Sequence, residues 1–83
     1  MLIDIGSRYI CAKFILGFSK PEPMTRGGSI NEYYIYFTHG DSRRVIDSKH
    51  KIDDVMNFKP FEEFMTEYKY YLTEERKRVI VEP

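Results

Sequence analysis

Hydrophobic positions recur at Phe61, Phe64, Met65, Tyr68 and Leu72, which is one stripe of an α-helix. Pro60 sits where a first-turn proline is tolerated, because that backbone position needs no helical N–H. Glu62 and Glu63 follow at the positive end of the helix dipole. The pattern predicts a main helix over about 60–74, with Tyr71 beside the same stripe. N-terminal to it the period falls to two. Met1, Ile3 and Ile5 flank Asp4 and predict a strand over 1–5, closed by a Gly6-Ser7 turn. Residues 8–18 predict one long central strand. Ile10, Ala12, Phe14, Leu16 and Phe18 take one face, Tyr9, Cys11, Lys13, Ile15 and Gly17 the other, and Gly17 marks a bulge or bend.

Tyr33, Ile35 and Phe37 alternate with Tyr34, Tyr36 and Thr38, predicting a strand over 32–38. His39-Gly40-Asp41-Ser42 supplies turn chemistry, and residues 43–47 return as the second arm of a β-hairpin. Ser48 caps a following turn, and Ile52, Val55 and Met56 fit a short helix over about 50–57. That helix must end before Pro60, since a residue preceding proline disfavours helical backbone. Val79-Ile80-Val81 reads as a last strand over 78–81 or as an extension into a partner. The sum is an α+β fold, a small antiparallel sheet of four to five strands covered on one face by a C-terminal helix.

Length makes this a single domain. A chain of 83 residues buries only roughly 60–65% of its unfolded surface, so its core needs support. Cys11 is the one cysteine, so no internal disulfide supplies that support, and its apolar neighbours make it a small buried hydrophobe. Seven Tyr and six Phe leave aromatic packing and self-association as the remaining routes. The N-terminal stretch carries Asp4 and no basic region, and the longest apolar run is broken by Lys13. The expectation is a cytoplasmic, soluble chain with no membrane segment. Net charge is zero, but residues 1–51 carry eight Lys/Arg against five Asp/Glu, and residues 52–83 the reverse. That balance argues against a DNA mimic or a strongly basic nucleic-acid-binding domain.

Candidate chemistry is sparse. His39, Asp41, Asp47 and His50 lack a diagnostic metal-ligand spacing, and they read as turn and surface residues. Asp53-Asp54 and Glu62-Glu63 read as solvated helical turns, and no nucleophile–base pair is legible. No catalytic residue, metal or cofactor is therefore assigned. The densest signal is Tyr33, Tyr34 and Tyr36 opposite Arg43 and Arg44 on the paired strand. Rings interleaved with guanidinium groups suit a protein-interface hot spot. They also suit base stacking with phosphate contacts, or ordinary cross-strand pairing. The connection over 19–31 is longer than a hairpin needs. It carries Pro21, Pro23, Gly27 and Gly28, with Arg26 beside the glycines as an anion contact. The candidate partner-binding residues are Arg26, Tyr34, Tyr36, Arg43 and Arg44. Tyr70, Met56 and Phe58 add more aromatic and apolar surface than one helix face hides.

Tyr9-Ile10 and the run from Tyr34 to Asp41 resemble the strand–turn features of small sheet-plus-helix proteins common in phages and bacterial accessory genes. Those features are generic and identify no family. Small size, missing catalytic residues and surplus aromatic surface also resemble phage inhibitors of bacterial defence, anti-CRISPR proteins among them. No functional residue carries over from that compositional likeness. The expected function is a non-catalytic regulator or inhibitor that binds another protein. The alternatives are a nucleic-acid or signalling-nucleotide binder using the Tyr/Arg face, and a structural subunit of an assembly. A homodimer is expected slightly ahead of a monomer.

Overall fold

The computed structural model describes residues 1–24, 30–52 and 56–81, with side chains as far as Arg76. In chain order the elements are β1 (Leu2–Asp4), β2 (Tyr9–Cys11), a 3-10 turn (Ala12–Phe14), β3 (Ile15–Phe18), β4 (Glu22–Pro23), β5 (Asn31–Phe37), β6 (Ser42–Asp47) and α1 (Phe61–Val81). The fold is α+β, with two antiparallel sheets and one α-helix among the described residues.

Strand β5 is the spine of the larger sheet. Its alternation buries Tyr33, Ile35 and Phe37, and β6 pairs along one of its edges from Asn31 to Tyr36. The other edge is shared in succession by β3, opposite Ile35 to Phe37, and by β4, opposite Asn31 and Glu32. The turn predicted at His39-Gly40 closes the hairpin: Gly40 takes φ +92°, and the Phe37 N–H donates to the Asp41 carbonyl at 2.9 Å. The smaller sheet is the β1–β2 hairpin, with Ile3 opposite Ile10.

The long strand expected over 8–18 is instead broken at its middle. The 3-10 turn forms a corner at which the chain leaves β1 and joins β5. Backbone bonds pin both sides of it: Ala12 N–H donates to the Met1 carbonyl at 2.9 Å, and Thr38 N–H to the Phe14 carbonyl at 2.9 Å. Because the turn resets the two-residue period, Ile10, Ala12 and Ile15 are buried while Phe14 and Leu16 are exposed. A register shift between Ile15 and Gly17 places the bulge where the glycine suggested it.

Two further expectations are corrected. The predicted short helix over 50–57 is not formed at either described end; Asp53, Asp54 and Val55 lie outside the described residues. Its C-terminal end is recruited by β6. Ile46 donates its N–H to the Asn57 carbonyl at 3.0 Å and accepts from Lys59 N–H at 2.9 Å, which fixes an extended backbone. Ser48 does organise a local turn, exchanging hydrogen bonds with the backbone of His50. The expected strand over 78–81 is the last turn of α1. No glycine or proline interrupts Glu74 to Arg78, so helix propagates through them into the β-branched residues.

Helix α1 starts at Phe61, and its first-turn N–H is capped from a distance: Phe61 donates to Asp47 Oδ1 at 2.7 Å. Pro60 has no side-chain acceptor, so β6 supplies the carboxylate. The helix lays Phe61, Phe64, Tyr68 and Tyr71 on the sheet, with Phe64 fully buried. The rings meet edge-on, Phe18 to Phe64 at 5.1 Å, Phe18 to Tyr68 at 5.6 Å and Tyr33 to Phe61 at 5.0 Å. Leu72, expected in this stripe, is exposed. At ~100° per residue it lies about 60° round from the centre of the ring stripe, and Tyr71 takes the buried place.

Under the start of the helix, the buried Tyr33 hydroxyl donates to the Lys59 carbonyl at 2.9 Å, and the Lys59 ammonium pairs with Glu67. Burial, and then the nearby carboxylates of Asp47, Glu67 and Glu63, hold the Tyr33 phenol well above its ordinary value of 10.0. The unfolded chain therefore ionises this tyrosine first. Its contribution to stability is whole below pH 10 and falls as pH rises above that value. Urea midpoints measured from neutral to alkaline pH are expected to fall less steeply above pH 10 in Tyr33→Phe than in the parent. At neutral pH the variant is expected to cost about 1 kcal/mol for the lost hydrogen bond. Parallel midpoint curves for the two proteins would remove Tyr33 as the cause.

Candidate functional site

The same alternation that buries Tyr33, Ile35 and Phe37 turns Tyr34 and Tyr36 away from the helix, leaving them 38% and 43% exposed. Their rings stack at 6.5 Å and 19°. On β6, Arg44 lies opposite Tyr34 and Ser42 opposite Tyr36; on β3, Gly17 lies opposite Tyr36. The bulge leaves Leu16 71% exposed beside them. Ser19 ties this edge down, accepting from Tyr34 N–H through its hydroxyl at 2.8 Å and donating its own N–H to the Tyr34 carbonyl at 2.9 Å. The core cluster, built from both hairpins and α1, lies on the opposite side of β5. Leu16, Tyr36, Tyr34 and Arg44 thus form an apolar and aromatic strip with a guanidinium at one end. At the far end of the same row Ile46 is buried, where the segment Asn57–Lys59 returns along β6.

The five expected partner-binding residues do not share this face. Tyr34, Tyr36 and Arg44 are brought together. Arg43 stands opposite Ile35, on the core-facing row, because consecutive strand residues point to opposite faces. It donates through one guanidinium nitrogen to Asp41 Oδ2 at 2.9 Å and to the Ser42 carbonyl at 3.1 Å. Arg26 lies outside the described residues. Arg44 pairs with Glu32 at 3.4 Å, and Glu32 Oε2 is buried with no hydrogen bond, so the guanidinium is its one compensating group among the described residues.

Arg43 belongs instead to a cleft that sequence reasoning missed. It has a volume of about 210 Å³ and lies between the small hairpin and the β5–β6 turn. Arg8, Tyr9 and Phe14 line one side; His39, Asp41 and Arg43 line the other. The His39 ring stacks on Phe37 at 5.6 Å and 13°, and its Nε2 stands 3.8 Å from Asp41 Oδ2. The Ser42 N–H, received by Asp41 at 2.9 Å, lowers the Asp41 carboxyl below its ordinary range, with help from Arg43 and His39. Cys11 lines the same cleft and is half-buried. The local signals were the His-Gly-Asp turn and the exposed Arg8-Tyr9 pair. Nothing in the sequence joins them across some thirty positions.

Comparison with protein-family models, with curated proteins and with solved structures gives no match to this chain. Among the described residues, no helix is long and apolar enough to cross a membrane, and no group of three or more His, Cys, Asp or Glu is placed to hold a metal ion.

Proposed function

We propose that this protein is a small cytoplasmic, non-catalytic regulator or inhibitor that works by protein–protein contact. The observation that carries this reading is the strip of Leu16, Tyr36, Tyr34 and Arg44 on the sheet face away from the core. Tyrosine offers large contact area at low conformational cost, and a flat sheet holds it rigidly; both suit an interface centre. Charge favours a protein over a nucleic acid. Among the described residues, Arg44 is already compensated by Glu32, and Arg43 is turned to the other face and bound to Asp41, so neither is a spare arginine beside the tyrosines for a phosphate.

The test begins with capture of a partner from lysate, followed by measurement of its affinity for the parent and for Tyr34→Ala with Tyr36→Ala. The double variant is expected to lose no more than about 1–2 kcal/mol of stability and to lose at least about tenfold in affinity. Affinity unchanged in the folded variant would remove this face. Affinity that collapses with salt would replace the protein reading with the nucleic-acid one. Self-association through the same face would appear as a dimer in sedimentation of the parent and as a monomer in the variant.

A further inference from the structure

The cleft between the small hairpin and the β5–β6 turn has its own chemistry. Two guanidinium groups, Arg8 and Arg43, line the cleft against a single carboxylate, Asp41, and the Lys13 ammonium lies over the Phe14 ring at 5.1 Å. Arg43 and His39 are both turned toward Asp41. The Arg8 guanidinium has no ion-pair partner among the described residues. Around this charge the walls are apolar and aromatic: Tyr9 and Phe14 are exposed at the mouth, and the stacked Phe37–His39 pair stands opposite. A guanidinium at the rim of an aromatic slot recognises a carboxylate attached to an apolar group.

Size narrows the ligand. At about 210 Å³ the cleft is smaller than the roughly 300–1,000 Å³ of a site for a whole cofactor or metabolite. It fits one or two side chains. It lies at the β5–β6 turn end of the sheet, the end from which Leu16 and Tyr36 of the outer strip also run, with Arg43 on the opposite row of β6.

We infer that this cleft is the anchor pocket for an acidic residue of the partner protein, a Glu or Asp next to an apolar side chain, whose carboxylate pairs with Arg8 while its neighbour lies on Tyr9 and Phe14. This rests on the protein-contact reading above and adds the chemistry of the contact. The anchor orients the partner: the tyrosine strip supplies area, and the Arg8 pair fixes register.

The inference is tested on the full chain without any partner, so its outcome is separable from that of the tyrosine variants. Isotope-labelled protein is titrated with acetyl-Phe-Glu-amide, acetyl-Phe-Gln-amide and inorganic phosphate to roughly 20 mM while amide resonances are followed. The glutamate peptide is expected to shift Arg8, Cys11, His39 and Arg43 with millimolar affinity. The glutamine peptide, and the Arg8→Gln protein with the glutamate peptide, are expected to be at least about tenfold weaker. Arg8 is exposed and its structural role is a backbone carbonyl that accepts from Ile5, so Arg8→Gln leaves the fold intact. No shift at these four residues overturns the inference. So does equal binding of the two peptides, or phosphate bound as tightly as the glutamate peptide, which would make the cleft a general anion site.

Discussion

Phe64→Ala is expected to lower the unfolding free energy by ~3–5 kcal/mol, the range for emptying a buried phenyl site. Phe64 is fully buried and contacts the rings of Phe18, Tyr33, Phe61 and Tyr68. Among the described helix side chains it alone is fully buried, and none of these rings can collapse into the space without leaving an edge-on partner. A domain of this size has roughly 5–10 kcal/mol in all, so the variant stands close to unfolding at room temperature. Leu72→Ala is the control. Leu72 is 42% exposed, and its loss is expected to cost under about 1 kcal/mol. Urea melts of the three proteins decide the matter: equal midpoints for Phe64→Ala and the parent would show that α1 does not hold the sheet.

Gly6→Ala is expected to cost roughly 2–5 kcal/mol, from two sources that a second glycine separates. Gly6 has φ +99°, a backbone conformation that side chains rarely adopt. A Cβ there would also meet Phe58 Cδ1 at 2.8 Å and the Phe58 backbone nitrogen at 3.0 Å. The ring can swing aside. The nitrogen cannot, because it donates to the Ile5 carbonyl at 2.8 Å. Gly40 has a similar φ of +92° but open space where its Cβ would be. Gly40→Ala is therefore expected to show the backbone strain alone, about 1–3 kcal/mol. Thermal melts giving the two variants the same loss would dismiss the Phe58 contact.

What the sequence made legible was local. The β5–β6 hairpin followed from alternation over Tyr33–Phe37 and a glycine turn, and the helix from the spacing of Phe61, Phe64 and Tyr68. The class, α+β with a C-terminal helix on a small antiparallel sheet, followed from those two. The 3-10 corner did not, because a run as apolar as Tyr9 to Phe18 satisfies either phase of a strand. The cap on α1 was hidden as well, since its acceptor, Asp47, lies fourteen positions upstream. The grouping of Arg43 with Arg44 was an error that strand geometry alone corrects: neighbours on a strand cannot share a face. The cleft depended on the meeting of two turns, a property of the fold and not of any segment.

The 3-10 corner has a bearing on how this molecule comes apart. Tyr9 to Phe18 is a single run that hands the chain from β1 to β5 with three residues between the two pairings. A two-stranded hairpin is barely stable by itself. Here it cannot be released without dragging on Ile15, which pairs with Phe37 on the spine of the other sheet. The two sheets are separate in their hydrogen bonding and joined in their cooperativity. Heat or denaturant therefore meets one all-or-none unit rather than a detachable N-terminal arm.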